Sequence, residues 1–223
     1  MTTLANPTYR QRVGYQAGLL GGFALVAAAL LVMGDIATRD AISEREAEDL
    51  LASLSEVIPA KLHDNDLLAN TLTLTVDGPD GAPQELTVYR ALQGLDVSAV
   101  AYEVAGQGYG GEIDILLGID AAGRILGARV LSHAETPGLG DKIDIARDDW
   151  ILDFNGHSSS DPAPPGWAVK KDGGIFDQFS GATITPRGVV AAVKGGLDLF
   201  AEHRDALTAS AVINSAAEKE GRQ

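Results

Sequence analysis

Between Val13 and Met33 the chain carries an uncharged, strongly apolar run of about 21 residues, enough to span a bilayer. Gly18, Gly21 and Gly22 give this run a face suited to close packing on other helices. A cleaved signal peptide would have a shorter apolar core and a small-x-small site. Ala27, Ala28 and Ala29 imitate such a site, but the apolar run continues past them to Met33, so an uncleaved anchor is expected. From Asp40 to Ile58 the pattern becomes amphipathic, with Ala47, Leu50, Leu51, Leu54 and Ile58 on one helical face. Ser43 and Glu46 are spaced as a capping box, a coincidence if the helix simply continues the span. Pro59 ends it.

Beyond Pro59 the period shortens to two. Thr71 to Val76 and Glu85 to Ala91 alternate as strands do, and the turn cluster Asp77–Gly81 between them predicts a hairpin. Further strands are expected at Val97–Val104, Glu112–Ile119 and Arg124–Ser132, the last two joined by the turn from Asp120 to Gly123. Ile143, Trp150, Ile151 and Phe154 recur at helical spacing within Asp141–Phe154. His157–Gly166 reads as a surface loop and Trp167–Lys170 as a short strand. Val189, Val190, Val193, Leu197 and Phe200 mark a closing helix from Pro186 to about Leu207, with Thr185 as its N-cap. The polar tail after Ala209 is expected to fray. No internal repeat is evident. Strands in a run followed by helices predict an α+β domain behind a single N-terminal transmembrane helix. The expected segments are 1–12, the span 13–34, a juxtamembrane helix 35–60, one domain 61–209 and a tail 210–223.

Charge orients this layout. Arg10 and Arg12 precede the span, and no acidic residue occurs among the first 34. The positive-inside rule therefore puts the N-terminus in the cytoplasm and the domain outside. Beyond the span 15 Lys and Arg face 31 Asp and Glu, a net of −16, which disfavours a nucleic-acid surface and repels anionic headgroups. The absence of cysteine excludes disulfides, iron–sulfur ligation and thiolate chemistry, so any electron carried here rides on a cofactor held some other way. His63, His133, His157 and His203 are scattered, without a zinc-binding pair, and no metal is expected.

Three stretches carry candidate chemistry. Asp177 to Arg187 delivers small residues, Gly181 and Ala182, to the start of a helix whose N–H groups suit a phosphate, with the hydroxyls of Thr183 and Ser180 beside it. Gly106–Gly111 contains G-x-G, but no helix follows, so it is either a hairpin loop or a loop packing near a ligand. Ser132–Lys142 surrounds the Pro137–Gly138 turn with His133, Glu135, Thr136 and Lys142, and sets Leu139 between glycines where it could lie against a flat ring. A surface Ω-loop is the bland alternative. Ser180, His133 and Asp177 are the residue types of a hydrolytic triad, but G-x-S-x-G is lacking. A scaffold without redox chemistry is the stronger rival.

Asp177-x-x-Ser180-Gly181-Ala182-Thr183 resembles the acceptor motif of bacterial flavin transferases, which esterify FMN through its phosphate to the last threonine. His133-Ala-Glu-Thr-Pro-Gly-Leu-Gly140, the Gly-Tyr-Gly-Gly loop before it and Ser-Gly-Ala-Thr after it occur in this order in the G subunit of bacterial Rnf complexes, ion-translocating ferredoxin:NAD oxidoreductases. The pattern is similar in the C subunit of the sodium-pumping NADH:quinone reductase, usually with Gly where Ala134 stands here, so that protein remains the alternative. The resemblance implies an exported FMN-binding domain, periplasmic on the inner membrane, that relays electrons without catalysing a reaction alone. It implies covalent FMN on Thr183, with Ser180, Gly181, Ala182, Glu135, Thr136, Leu139, Gly140 and Lys142 as cofactor-binding residues. It also implies membrane subunits D, A and E as partners and a flavin transferase for maturation.

Overall fold

The computed structural model describes residues 13–77 and 82–210. The N-terminal segment 1–12, the tip of the first turn cluster (78–81) and the tail from 211 lie outside the described residues. Helix α1 runs without a break from Val13 to Val57, so Ser43 and Glu46 lie inside it rather than at a helix start. The chain forms two compact units, Met1–Asp49 and Leu50–Gln223. In the first, the 27-residue stretch Val13–Arg39 contains an 18-residue window of mean hydropathy 2.2 and is long and apolar enough to cross a membrane.

The second unit is built on a five-stranded antiparallel meander, β1 (Thr71–Asp77), β2 (Pro83–Gln93), β3 (Asp96–Gln107), β4 (Glu112–Asp120) and β5 (Ile125–His133), ordered as in the sequence. Each alternating run of the sequence becomes a strand. The turn between β4 and β5 is held by Asp120, whose Oδ1 accepts the N–H groups of Ala122 and Arg124, both at 2.9 Å. Alternation gives the sheet two different faces. Val100, Tyr102, Ile115 and Leu117 face helix α2 (Ile184–Leu207), which buries Val189, Val193, Leu197 and Phe200 against them. Ala91, Ala99, Ala101 and Leu116 face the end of α1, where Leu54, Val57 and Ile58 are fully buried. Small residues are needed there. A Cβ on Gly118 would stand 2.5 Å from the Val57 carbonyl oxygen.

Two expected elements differ. Asp141–Phe154 is not one helix but two short 3-10 turns, Asp141–Ile143 and Trp150–Phe154. Asp144 and Asp148 cap the N–H groups of Ala146 and Trp150 two residues on, and such local bonds compete with helix. The apolar spacing still buries Ile143, Trp150, Ile151 and Phe154. Trp167–Lys170 forms only a bridge between Val169 and Phe176, followed by a 3-10 turn at Lys170–Asp172. Helix α2 also starts two residues before Pro186, which moves Thr185 from the cap into the first turn, where it is fully buried.

Candidate functional site

Three loops meet at one end of the sheet. The β3–β4 loop closes through a bond from the Gly108 N–H to the Gly111 carbonyl at 2.8 Å. The loop after β5 lies directly against it, since a Cβ on Gly110 would stand 2.1 Å from the Ala134 carbonyl oxygen. Glu135 joins them. It is 6% exposed, with Oε1 accepting the Gly110 N–H at 2.8 Å and Oε2 accepting the Thr185 hydroxyl from α2. A Cβ on Gly108 or Gly140 would come within 2.2 Å or 2.5 Å of that carboxylate, so both positions are glycine because Glu135 fills the space. Gly188 brings α2 equally close, 2.1 Å from its would-be Cβ to the Gln107 carbonyl oxygen.

The third loop, Phe179–Thr183, is a tight turn with the Ala182 N–H on the Phe179 carbonyl at 3.2 Å and Gly181 at φ 83°. An aromatic cluster fixes its base. The Trp150 indole N–H donates to the Asp177 carbonyl at 2.9 Å, and the Phe179 ring centroid lies 5.1 Å from that of Trp150. The Asp177 carboxylate pairs with Lys170 at 2.7 Å. Arg187 binds Asp172 through two bonds of 2.6 and 2.7 Å, and that hydrogen-bonded guanidinium holds the Asp172 carboxyl below its usual range.

The loops enclose a cleft of about 310 Å³, lined by Tyr109, Glu135, Thr136, Leu139, Gly140, Gly181, Ala182, Thr183 and Ile184. Tyr109, Leu139 and Ile184 form an apolar rim, each more than two-fifths exposed. Of the residues singled out in the sequence, Ser180 and Lys142 are exposed and outside this lining. Tyr109 and Ile184 line it without having been among those residues. For Tyr109 the available signal was the Gly-x-Gly loop that holds it.

The three hydroxyls near the turn differ in situation. Thr185 is buried on Glu135, and Ser180 is exposed outside the lining. Thr183 lines the cleft at the N-cap position of α2, where its side chain makes no capping bond. The first-turn N–H groups of α2 are thus left without a capping side chain, which suits an anion. An apolar rim, a backbone anion seat and an uncommitted hydroxyl fit a flavin phosphate and ring. The hydrolytic grouping is not assembled. The His133 Nδ1 accepts the Glu135 N–H at 3.1 Å, Asp177 is held by Lys170, and no hydrogen bond joins either to Ser180 among the described residues.

Residues 108–198, which contain all three loops, match the FMN-binding domain family. The chain is 56% identical over 197 residues to the G subunit of the ion-translocating oxidoreductase complex of Cereibacter sphaeroides, covering 88% of each chain. To the corresponding G subunit of Stutzerimonas stutzeri it is 44% identical over 199 residues, covering 89% of this chain and 86% of that one. The crystal structure of Shewanella oneidensis NqrC aligns with 67% of this chain and 73% of its own, at 23% identity and a TM-score of 0.46. On the extent and identity of the first two matches, the chain belongs to the G-subunit family of ion-translocating oxidoreductase complexes.

Proposed function

We propose that this chain is the FMN-carrying, electron-relaying subunit of an ion-translocating oxidoreductase complex of the Rnf type, with the FMN phosphate esterified to Thr183. The observation that carries the reading is the Thr183 side chain, which lines the cleft without serving as a cap. FMN supplies the redox chemistry when bound. The chain's own residues position it. The N-terminus of α2 receives the phosphate charge, Leu139, Tyr109 and Ile184 offer apolar surface to the ring, and Glu135 locks the loops that carry them. Covalent attachment suits a site outside the cell, where a dissociated cofactor would be lost by dilution. The quinone-reductase protein and the non-redox scaffold are weaker readings, because the extensive relatives are named for the ion-translocating complex and the matched family is FMN-binding.

The same reading places residues 1–12 in the cytoplasm, the span at 13–34, and the domain in the periplasm of the inner membrane. Subunits D, A and E are its partners, and a flavin transferase loads it. The arginines before the span and the acids after it support this orientation. Protease added to spheroplasts should digest the domain and spare the N-terminus. A domain resistant until lysis would place it in the cytoplasm.

Thr183→Val tests the attachment. The full chain co-expressed with a flavin transferase should carry one FMN mass on the peptide containing residues 180–187, and the valine variant none. Its unfolding free energy should change by no more than about 0.5 kcal/mol, because no cap is lost. FMN mass persisting on that peptide in the variant would overturn the assignment.

A further inference from the structure

The ladder between β2 and β3 runs only from Val88↔Tyr102 to Gln93↔Asp96. Both strands continue beyond it. Residues 83–87 of β2 stay paired with β1, and residues 103–107 of β3 stay paired with β4. The two hairpins part like a fork, and the main-chain groups that β2 and β3 turn toward the gap have no strand partner among the described residues. An open groove of about 860 Å³ lies there. An unpaired strand edge is a template for another strand.

Alternation gives the groove two chemically different walls. Leu86 and Val104 share the face of Tyr102, and the flank of α2 adds Ala191, Ala192 and Gly195 to that wall. Glu85, Glu103, Glu112 and Asp114 belong to the opposite face, and the lining contains no Lys or Arg. Burial, then the neighbouring charge of Asp114, pushes the Glu103 carboxyl up, as expected for carboxylates without a counter-charge.

We propose that this fork receives an extended segment of a partner protein in which apolar and basic residues alternate. Its main chain adds to the open edges of β2 and β3. Its apolar side chains enter the α2 wall, and its Lys or Arg side chains meet the four carboxylates. Period-two chemistry follows from the strand itself, since successive side chains of an inserted strand face opposite walls. The inference stands on the sheet and is independent of what fills the loop cleft.

The full chain in detergent can be tested with an eight-residue peptide alternating valine and lysine, against a peptide of the same composition with the lysines in one block. The alternating peptide should bind at least tenfold more tightly and slow hydrogen exchange at the gap-facing amides within 84–87 and 103–107, those not already bonded to β1 or β4. The triple variant Glu85→Lys, Glu103→Lys, Glu112→Lys should weaken it by about tenfold or more while the exchange pattern of the remaining sheet is kept. Equal binding of both peptides, protection elsewhere on the chain, or an unchanged affinity in the triple variant would each overturn the proposal. So would protection of those gap-facing amides in the free chain, which would mean that the fork closes on itself or on a second copy.

Discussion

The loop cleft and the fork share the end of β3, yet they are built in opposite ways. At the cleft, the Ala134 backbone leaves Gly110 no room for a Cβ, the Glu135 carboxylate leaves none at Gly108 and Gly140, and both oxygens of that buried carboxylate are bonded. At the fork, two strands run on for five residues each without meeting. A buried polar group with all its partners rigidifies a site, whereas unpaired main chain leaves an edge that can adapt. One hairpin thus carries a fixed seat at its tip and an open edge along its side.

The largest effect should come from forcing the cleft apart. Gly110→Val would drive its side chain into the Ala134 carbonyl, and we expect a loss of about 3 kcal/mol with no flavin loading. Ala105→Val, exposed beside the fork, should change stability by less than about 0.5 kcal/mol. Urea unfolding and mass spectrometry of the two variants measure this contrast, and equal losses would erase it. Glu135→Ala comes next. It strands the Gly110 N–H and the Thr185 hydroxyl, at a cost of about 2–3 kcal/mol, while Glu135→Gln keeps an acceptor and should lose less than half of that. Denaturant midpoints of the pair decide whether the carboxylate is the clamp.

The smallest effect lies at the fork. Folding raises the Glu103 carboxyl, so the folded state holds its proton more tightly than the unfolded chain does. Stability contributed by this group is therefore lost as pH rises from the ordinary carboxylate value through the raised one. Glu103→Gln should unfold at a slightly higher temperature than wild type at neutral pH, and the gain should vanish below the carboxylate range. A gain that persists in acid would mean that packing, not charge, is responsible.

Much of this was legible in the chain. All five strands were expected, the first two from their period-two alternation, and the Gly and Asp turns set their ends. The helix read into Asp141–Phe154 failed because apolar spacing reports burial, while Asp144 and Asp148 divert the backbone locally. Thr183, Leu139 and Glu135 stood out through their loops. The inward turn of Glu135 onto Thr185 did not, because it joins residues 50 positions apart. The fork was hidden for a related reason. Alternation shows that a segment is a strand, but not where its neighbour leaves it.

The aromatic cluster beneath the Asp177 loop offers an optical handle. Both tryptophans of the chain, Trp150 and Trp167, belong to it, and Trp150 is bonded to the main chain six residues before Thr183. Indole emission therefore originates almost entirely beside the turn that presents the acceptor hydroxyl. A flavin arriving at the cleft would accept that excitation, so loading could be followed in real time by quenching of the native fluorescence, without a label.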